Sequence, residues 1–193
     1  MTPTLILFAR YPAAGTCKTR LIPALGAEGA ADLHRRMTER TIGILRSSGL
    51  PVIVAYTGAG RQDFERWLGA DVGLEEQVAG DLTDRLLAFT HHAPLIFFGA
   101  DTPDLQARHI AQAVDGLQNY EVVIGPAEDG GYYLIGITRP IPKLFTNMPW
   151  SSEQVLPETL TRLADMGIAP LLLETLADCD RPEDLARWPE FTL

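Results

Sequence analysis

The chain has 193 residues and a mass of 21.1 kDa, which is enough for one domain with a buried core and no need for disulfides or a structural metal. Its 46% hydrophobic and 21% charged residues are typical of a globular protein and exclude a disordered or fibrous chain. The formal net charge of -9 argues against nucleic acid or an anionic membrane as a partner, because both bind proteins largely through Lys and Arg.

The sequence offers no sign of export or membrane insertion. The apolar run at residues 5–9 is short and lacks the preceding basic region of a secretory signal. No segment reaches the roughly 20 apolar residues that span a bilayer. Two cysteines, Cys17 and Cys179, are too few for a disulfide framework. We therefore expect a cytoplasmic protein.

Apolar runs alternate with helical patterns along the chain. Residues 4–9 are continuously apolar, which predicts a strand covered on both faces, and the spacing of apolar residues from 30 to 44 predicts a helix. Further strands are expected at 52–56, 95–98, 122–124, 132–137 and 170–176, with helices near 61–68, 82–89, 110–117, 151–163 and after Pro182. This rhythm predicts an α/β fold of three layers (α/β/α) with a mostly parallel, Rossmann-like sheet, as a single domain over residues 1–193.

Two helix starts carry capping signals. Asp81 precedes the apolar pattern of one predicted helix and is expected to cap it. Ser151 and Gln154 have the spacing of a capping box and are expected to begin another.

The loops that follow strands are the candidate sites, because ligands of open α/β sheets bind at the carboxyl ends of the strands. The first, residues 10–21, places Gly15 shortly before Lys18 and Arg20. Glycine lets the backbone approach a ligand, and the two cations can bind phosphate oxygens. The loop has neither the Walker spacing nor the dinucleotide-binding fingerprint. The alternative is a surface turn whose charges are solvated.

The second loop, residues 99–103, places Asp101 directly after an apolar strand. A carboxylate in such a position is costly unless it caps a helix, pairs with a cation or binds a metal. Asp104 is the better candidate for a helix cap. Asp101 is therefore a candidate ligand.

The third and fourth loops are acidic. Residues 125–132 contain Asp129 before two glycines, a pattern that also fits a plain hairpin turn. Residues 178–185 contain Asp180, and their acids could simply favour the positive end of a following helix. Magnesium is usually held by one or two protein carboxylates together with substrate phosphates, so Asp101 and Asp180 would suffice.

Taken together, these segments resemble the nucleotide-diphospho-sugar transferase superfamily, which has the glycosyltransferase A-type fold, and most closely its small uncharacterised glycosyltransferase-like bacterial group. The resemblance rests on FARYP at 8–12, KTRL at 18–21, GADTP at 99–103 and GPAEDGGYYLIG at 125–136. The segment GDL at 80–82 with Arg85 is also similar, although Thr83 stands where glycine is expected. The first loop is similar to that of phospholactate guanylyltransferases, and residues 178–185 to the closing acidic segment of molybdenum-cofactor guanylyltransferases.

The resemblance implies roles for particular residues. Asp101 and Asp180 would hold Mg²⁺ or Mn²⁺, and Lys18 and Arg20 would neutralise the phosphates. Asp129 would orient the second substrate, which completes a catalytic set of Lys18, Arg20, Asp101 and Asp129. The expected nucleotide-binding residues are Ala9, Arg10, Gly15, Lys18, Arg20, Gly80, Asp81 and Asp101.

The expected activity is a nucleotide-dependent transferase. The paired cations favour nucleotidyl transfer from a nucleoside triphosphate to a small phosphorylated or hydroxyl acceptor, with Lys18 and Arg20 stabilising the departing pyrophosphate. One alternative is glycosyl transfer from a nucleotide sugar with Asp129 as the base. A second is a nucleotide-binding regulator without catalysis. The base, the acceptor and the oligomeric state stay open at this point.

The remaining candidates are expected to be structural. His91 and His92 lack the sequence spacing of metal ligands and are expected at the carboxyl end of a helix. Trp150 is expected to pack and is left out of the site residues, although its place just before a predicted helix would also allow it to line the acceptor side.

Overall fold

The computed structural model describes residues 2–191, and within them the chain forms a mixed seven-stranded sheet. The order across the sheet is β3-β2-β1-β4-β6-β5-β7. All neighbouring strands are parallel except β6, which runs antiparallel to both β4 and β5. The strands are β1 (Thr4–Arg10), β2 (Val52–Thr57), β3 (Gly73–Glu76), β4 (Leu95–Phe98), β5 (Val122–Pro126), β6 (Tyr132–Ile137) and β7 (Leu171–Leu172).

Helices cover both faces of this sheet. They are α1 (Ile22–Ser47), α2 (Arg61–Leu68), α3 (Leu82–Phe89), α4 (Ala107–Gly116) and α5 (Val155–Asp165). Leu5 and Leu7 of β1 pack in one core cluster with α1, α2 and α4, whereas Ile6 packs in the opposite cluster with α3 and α5. The alternation along β1 follows from the two-residue period of a strand. The predicted three-layer α/β/α fold with a mostly parallel sheet is confirmed.

A third cluster joins the end of the described chain to the start of α1. Trp188 and Phe191 pack there with Leu33 and Met37 of α1 and with Cys179. The indole nitrogen of Trp188 donates a hydrogen bond to Asp104 Oδ1 at 3.0 Å. This packing holds the acidic loop at residues 178–185 against the loop at residues 10–21, which precedes α1.

Several predicted boundaries differ from the structure. The edge strand β3 was not expected, because its sequence Gly-Leu-Glu-Glu carries almost no apolar signal. The predicted strand at 170–176 shortens to β7, and an isolated bridge from Leu176 to Ala127 continues its course. Helix α1 begins earlier than its apolar pattern, at Ile22, and is interrupted at Gly26, whose φ is 73°.

The capping expectations have mixed outcomes. Asp81 caps α3 as predicted, since its Oδ1 accepts a hydrogen bond from the N–H of Asp84 at 3.1 Å. The capping box at Ser151 is wrong, because α5 starts after Gln154 with no side-chain cap, and Ser151 has a φ of 61°. Asp104 is not a helix cap either: α4 starts after Gln106, and the Asp104 carboxylate accepts from Trp188.

The β5–β6 hairpin has a tightly fitted turn. Gly130 has a φ of 87°, and a Cβ at this position would lie 2.5 Å from the Cα of Glu153. Its carbonyl oxygen accepts a hydrogen bond from the N–H of Leu156 at 2.8 Å. Only glycine allows this approach, which fixes the segment before α5 beside the turn.

Among the helices of residues 2–191, none combines the length and apolar character needed to cross a membrane.

Candidate functional site

Lys18 lies at the centre of the candidate site. Its ammonium nitrogen is 2.7 Å from Asp101 Oδ1 and 3.6 Å from Asp180 Oδ1, and it donates a hydrogen bond to the carbonyl oxygen of Cys179 at 2.7 Å. The side chain is only 4% exposed. The backbone of Lys18 is left-handed, with a φ of 47°, a conformation that costs a non-glycine residue free energy and is found where surrounding contacts hold it.

Asp101 and Asp180 come from separate loops and converge on this ammonium group. Asp101 follows β4, and its carbonyl oxygen accepts a hydrogen bond from the N–H of Cys179 at 2.8 Å. Arg20 also pairs with Asp180 through its guanidinium group. The Asp101 side chain is 50% exposed and that of Asp180 is 29% exposed, so both keep access to solvent. The first, second and fourth candidate loops therefore meet at one place.

The charges of this cluster shift the pKa values of Asp101 and Lys18 so that the charged form of each is favoured. The surrounding protein partly desolvates the Asp101 carboxyl and so favours its neutral form, but the charge and hydrogen bond of Lys18 outweigh this effect and hold the pKa of Asp101 below its ordinary value. Burial likewise opposes the charged form of Lys18, yet Asp101 and Asp180 raise the pKa of its ammonium above the ordinary value. Both partners are charged at neutral pH.

Two adjoining cavities open at this cluster. The smaller, about 360 Å³, is lined by Phe8, Ala9 and Arg10 of β1 and by residues of α3 and β4. The larger, about 750 Å³, is lined by Arg20, Asp180 and the hairpin turn. Asp101 belongs to the walls of both. Together they offer room for a ligand with an apolar part and a highly charged part.

Asp129 lies at the larger cavity with another carboxylate, Asp178. The Oδ1 of Asp129 accepts a hydrogen bond from the N–H of Gly131 at 2.8 Å, so the residue also stabilises the hairpin turn. Burial and the negative charges of Asp129 and Asp180 raise the pKa of Asp178 above its ordinary value. The larger cavity thus has an excess of carboxylates that a cation would relieve.

The other predicted nucleotide-binding residues have different environments. Gly15 is exposed in the first loop with a φ of 78°, and a Cβ there would meet no atom within 4 Å. The carbonyl oxygen of Arg10 accepts a hydrogen bond from His34 Nε2 at 3.0 Å, while Ala9 is buried. Gly80 and Asp81 precede α3, where the Asp81 carboxylate is engaged in the cap.

Sequence reasoning missed several residues of the smaller cavity. Gln77 and Arg85 line it with a 3.4 Å hydrogen bond between their side chains, and the buried Nε of Arg85 has no hydrogen-bond partner. Trp150, which was left out of the predicted site residues, lines both cavities, and its indole nitrogen donates to Thr83 Oγ1 at 2.9 Å. Thr83 in turn donates to the carbonyl oxygen of Phe145, so the residue in the place of the expected glycine has a bridging role.

The carboxylates fit a hard divalent cation by their chemistry. Asp101 and Asp180 offer only oxygen ligands, they already share one cationic group, and they face a cavity with excess negative charge. Mg²⁺ and Mn²⁺ prefer such ligands and complete their coordination with water or substrate phosphates. These two aspartates could hold such an ion, as could other carboxylates that line the larger cavity.

Solved structures with the same fold include proteins described as transferases. A proposed nucleotide-diphospho-sugar transferase from Desulfovibrio desulfuricans G20 is 26% identical, with a TM-score of 0.90 over 98% of this chain and 88% of that one. A nucleotidyl transferase from Methanothermobacter is 19% identical, with a TM-score of 0.64 over 98% and 97% of the two chains. Rv0371c of Mycobacterium tuberculosis H37Rv, in complex with manganese, is 17% identical, with a TM-score of 0.56 over 98% and 99%.

The expected resemblance to nucleotide-diphospho-sugar transferases is thereby confirmed, and the chain shares its fold with a solved nucleotidyl transferase. No curated protein matches the sequence. Residues 41–152, more than half of the chain, match a family described as uncharacterised proteins conserved in bacteria, DUF2064. Asp101 and Asp129 lie inside the matched part, whereas Lys18 and Asp180 lie outside it. The chain belongs to the DUF2064 family of bacterial proteins.

Proposed function

We propose that this protein is a metal-dependent nucleotidyltransferase that transfers a nucleotide from a nucleoside triphosphate to a small phosphorylated or hydroxyl acceptor. The observation that carries the proposal is the convergence of Lys18 on Asp101 and Asp180, at 2.7 and 3.6 Å, where Asp101 lines both cavities and Asp180 lines the larger one. Cationic and acidic groups from three separate loops are what a triphosphate and its metal ion require.

The cavities suggest how a nucleotide would lie. The smaller one has mainly apolar walls with the polar groups of Gln77 and Arg85, which suits a nucleobase. The larger one has Arg20 and the acidic residues, which suits phosphates and an acceptor. Because Asp101 lines both, the triphosphate would pass beside it, and Ala9 and Arg10 in the wall of the smaller cavity would flank the nucleoside end. Gly15, Gly80 and Asp81 line neither cavity, so a role for them in binding nucleotide has less support.

The residues of the cleft would act by positioning and charge stabilisation. An oxygen of the acceptor attacks the α-phosphorus, the bond from this phosphorus to the bridging oxygen breaks, and pyrophosphate leaves with the electron pair. Lys18 and Arg20 stabilise the charge of the departing pyrophosphate, and Asp129 orients the acceptor. A magnesium or manganese ion held by Asp101 and Asp180 would supply further positive charge to the phosphate oxygens.

Lys18 is bound to carboxylates in the structure, so it would exchange partners when substrate enters. Asp101 and Asp180 would then be free to hold the ion, and the ammonium of Lys18 would pair with phosphate oxygens instead. This exchange would leave each charged group with a partner of opposite charge, which the buried ammonium group of Lys18 requires.

Glycosyl transfer from a nucleotide sugar is the second candidate. It is favoured by the exposed carboxylate of Asp129 at the larger cavity, which could serve as a base toward an acceptor hydroxyl. The relationship to the Desulfovibrio protein also supports it. A nucleotide-binding regulator with the same cleft would bind these ligands without converting them.

The test is a melting-temperature panel of nucleoside triphosphates and nucleotide sugars, each with and without Mg²⁺ or Mn²⁺. A ligand at 100 times its dissociation constant adds about 2.7 kcal/mol of stability. Stabilisation by one triphosphate that needs the metal, followed by pyrophosphate release with an acceptor, supports nucleotidyl transfer. Selective stabilisation by a nucleotide sugar favours glycosyl transfer, and a bound nucleotide that stays intact with all acceptors favours a regulator.

Variants test whether the metal-dependent stabilisation by nucleotide arises from binding in this cleft. Asp101→Asn and Lys18→Gln should remove the metal-dependent stabilisation while the far-UV circular dichroism stays native. The matched control is Lys143→Gln, because Lys143 is the other lysine of the chain and is exposed outside the cleft. If no nucleotide raises the melting temperature of the wild type, the proposal fails.

A further inference from the structure

Three metal-ligating side chains meet at a place that neither cavity includes. Glu75 belongs to the edge strand β3, and His91 and His92 belong to the 3-10 helix Thr90–His92 that directly follows α3. One ligand atom from each side chain lies within 4.8 Å of those from the other two. None of the three lines the smaller or the larger cavity. The grouping is therefore separate from the Asp101–Asp180 cluster.

His91 has a contact that prepares it for a ligand, whereas His92 donates its Nε2–H to the Glu75 carboxylate and would release that proton when a metal binds. His92 Nε2 is 3.0 Å from Glu75 Oε1, and the ring centroids of His91 and His92 are 4.0 Å apart. His91 Nδ1 is 2.8 Å from the carbonyl oxygen of Ala88, to which a protonated Nδ1 donates. That bond fixes the tautomer that leaves the lone pair of Nε2 available, the arrangement typical of histidines that bind metals.

We propose that Glu75, His91 and His92 form a binding site for a divalent transition metal of the zinc class. Two imidazoles and one carboxylate are a ligand set that suits Zn²⁺, whereas Mg²⁺ prefers oxygen ligands alone. Three protein ligands leave a fourth position for water, as in open zinc sites. The site and the Asp101–Asp180 cluster thus select different ions.

The site is accessible from solvent and connects two elements. The side chain of Glu75 is 40% exposed, that of His92 is 21% exposed, and His91 is exposed, so an ion can enter without unfolding the chain. A bound ion joins β3 to the end of α3. These two elements lead to Gln77 and carry Arg85, which contact each other in the wall of the smaller cavity. Metal binding here would therefore stiffen one wall of that cavity.

The experiment uses the full-length, tag-free protein after treatment with a chelator. Co²⁺ is titrated while its visible absorption is recorded, and Zn²⁺ is then added to displace it. We expect one equivalent of Co²⁺ with the intense visible bands of a low-coordinate nitrogen and oxygen site, displaced by Zn²⁺ and retained in excess Mg²⁺. The absence of such bands together with the absence of zinc binding by calorimetry overturns the proposal.

Variants with matched controls test whether Zn²⁺ binds at Glu75, His91 and His92 rather than elsewhere on the protein. Glu75→Gln and His92→Ala should each weaken Zn²⁺ binding at least tenfold, since each removes one of three ligands. Glu76→Gln is the matched control, because it removes the neighbouring exposed carboxylate of β3, and Asp101→Asn is the control for the other cluster. Unchanged zinc affinity in both ligand variants places the ion elsewhere and refutes the assignment.

A measurement on the wild type avoids any effect of substitution on folding. The chain has four histidines, so their imidazole signals can be followed individually by NMR during zinc addition. His91 and His92 should shift, whereas His34 and His109 should not. Shifts confined to His34 or His109 contradict the proposed site. Since none of these readouts involves nucleotide, a failed transferase assay leaves this test unaffected.

Discussion

The ammonium group of Lys18 donates a hydrogen bond of 2.7 Å to the carbonyl oxygen of Cys179, although 161 positions separate the two residues in the sequence. The N–H of Cys179 donates in turn to the carbonyl oxygen of Asp101, whose carboxylate pairs with Lys18. These three residues therefore tie together the first, second and fourth candidate loops. The contacts that assemble the candidate site are also contacts that hold the fold.

Lys18→Met should lower the stability of the protein. The substitution keeps the length and apolar stem of the side chain but leaves Asp101 and Asp180 without their shared cation and the Cys179 carbonyl without its donor. We expect a loss of about 1–3 kcal/mol in the free energy of unfolding, because the acidic partners remain partly solvated. Urea denaturation measures the change, with Lys143→Met as the exposed control. Equal denaturation midpoints for the two variants would contradict the central role of Lys18.

The Lys18–Asp101 pair should make stability fall in acid. The pKa of Asp101 is lower in the folded chain than its ordinary value of 3.8. A carboxyl with this shift stabilises the folded state above its unfolded pKa, and the stabilisation is lost as the pH falls through the folded value. Wild-type stability should thus decline below about pH 3.8 more steeply than that of Asp101→Asn. Parallel pH profiles of the unfolding free energy would show that the pair contributes nothing.

Much of the fold could be predicted from the sequence because the apolar signals are strong where strands are buried. Residues 4–9 and 95–98 are continuously apolar and form the centre of the sheet, as β1 and β4. β3 was missed because an edge strand needs little apolar surface, and Gly73–Glu76 contains only one apolar side chain, Leu74. β6 runs antiparallel to β5 because a hairpin turn joins the two strands. The sequence was compatible both with such a turn and with a ligand-binding role for Asp129.

The candidate site was predicted in part for a similar reason. Lys18, Asp101 and Asp180 lie in loops that follow strands, so the topology of a parallel sheet brings them to one edge. The left-handed backbone at Lys18 could not be predicted, because a non-glycine residue gives no sequence signal for that conformation. Glu75, His91 and His92 were missed because their proximity arises from tertiary packing rather than from spacing.

Gly130→Ala should destabilise the protein through the hairpin turn. A methyl group at this position would meet the backbone of Glu153 at 2.5 Å, in addition to the strain of a φ of 87°. Gly167→Ala is the matched control, since Gly167 has a φ of 69° but open space around its Cβ position. We expect the control to cost about 1 kcal/mol and Gly130→Ala to cost more, by thermal denaturation. A smaller loss at Gly130 would mean that the segment before α5 shifts easily.

Asp180 and Asp184 should have separable roles, although both lie in the same acidic loop. Asp184 Oδ2 accepts hydrogen bonds from the N–H groups of Asp180 and Arg181 at 3.0 and 2.7 Å, which caps the 3-10 helix Pro182–Arg187. The carboxylate of Asp180 instead pairs with Lys18 and Arg20. Asp184→Ala should therefore lower stability by about 1 kcal/mol while leaving any metal-dependent nucleotide stabilisation intact.

Asp180→Ala, unlike Asp184→Ala, should reduce the stabilisation by nucleotide and metal. With this carboxylate gone, the cleft keeps only Asp101 of the proposed pair of metal ligands, and its affinity for the metal with nucleotide should fall. The comparison is made by melting both variants with and without nucleotide and Mg²⁺, each referenced to its own unliganded melting temperature, so that the lost helix cap does not affect the result. Because the two carboxylates are four positions apart in one loop, a general disturbance of the loop would reduce both responses equally. A loss confined to Asp180→Ala therefore attributes the metal dependence to the carboxylate beside Lys18.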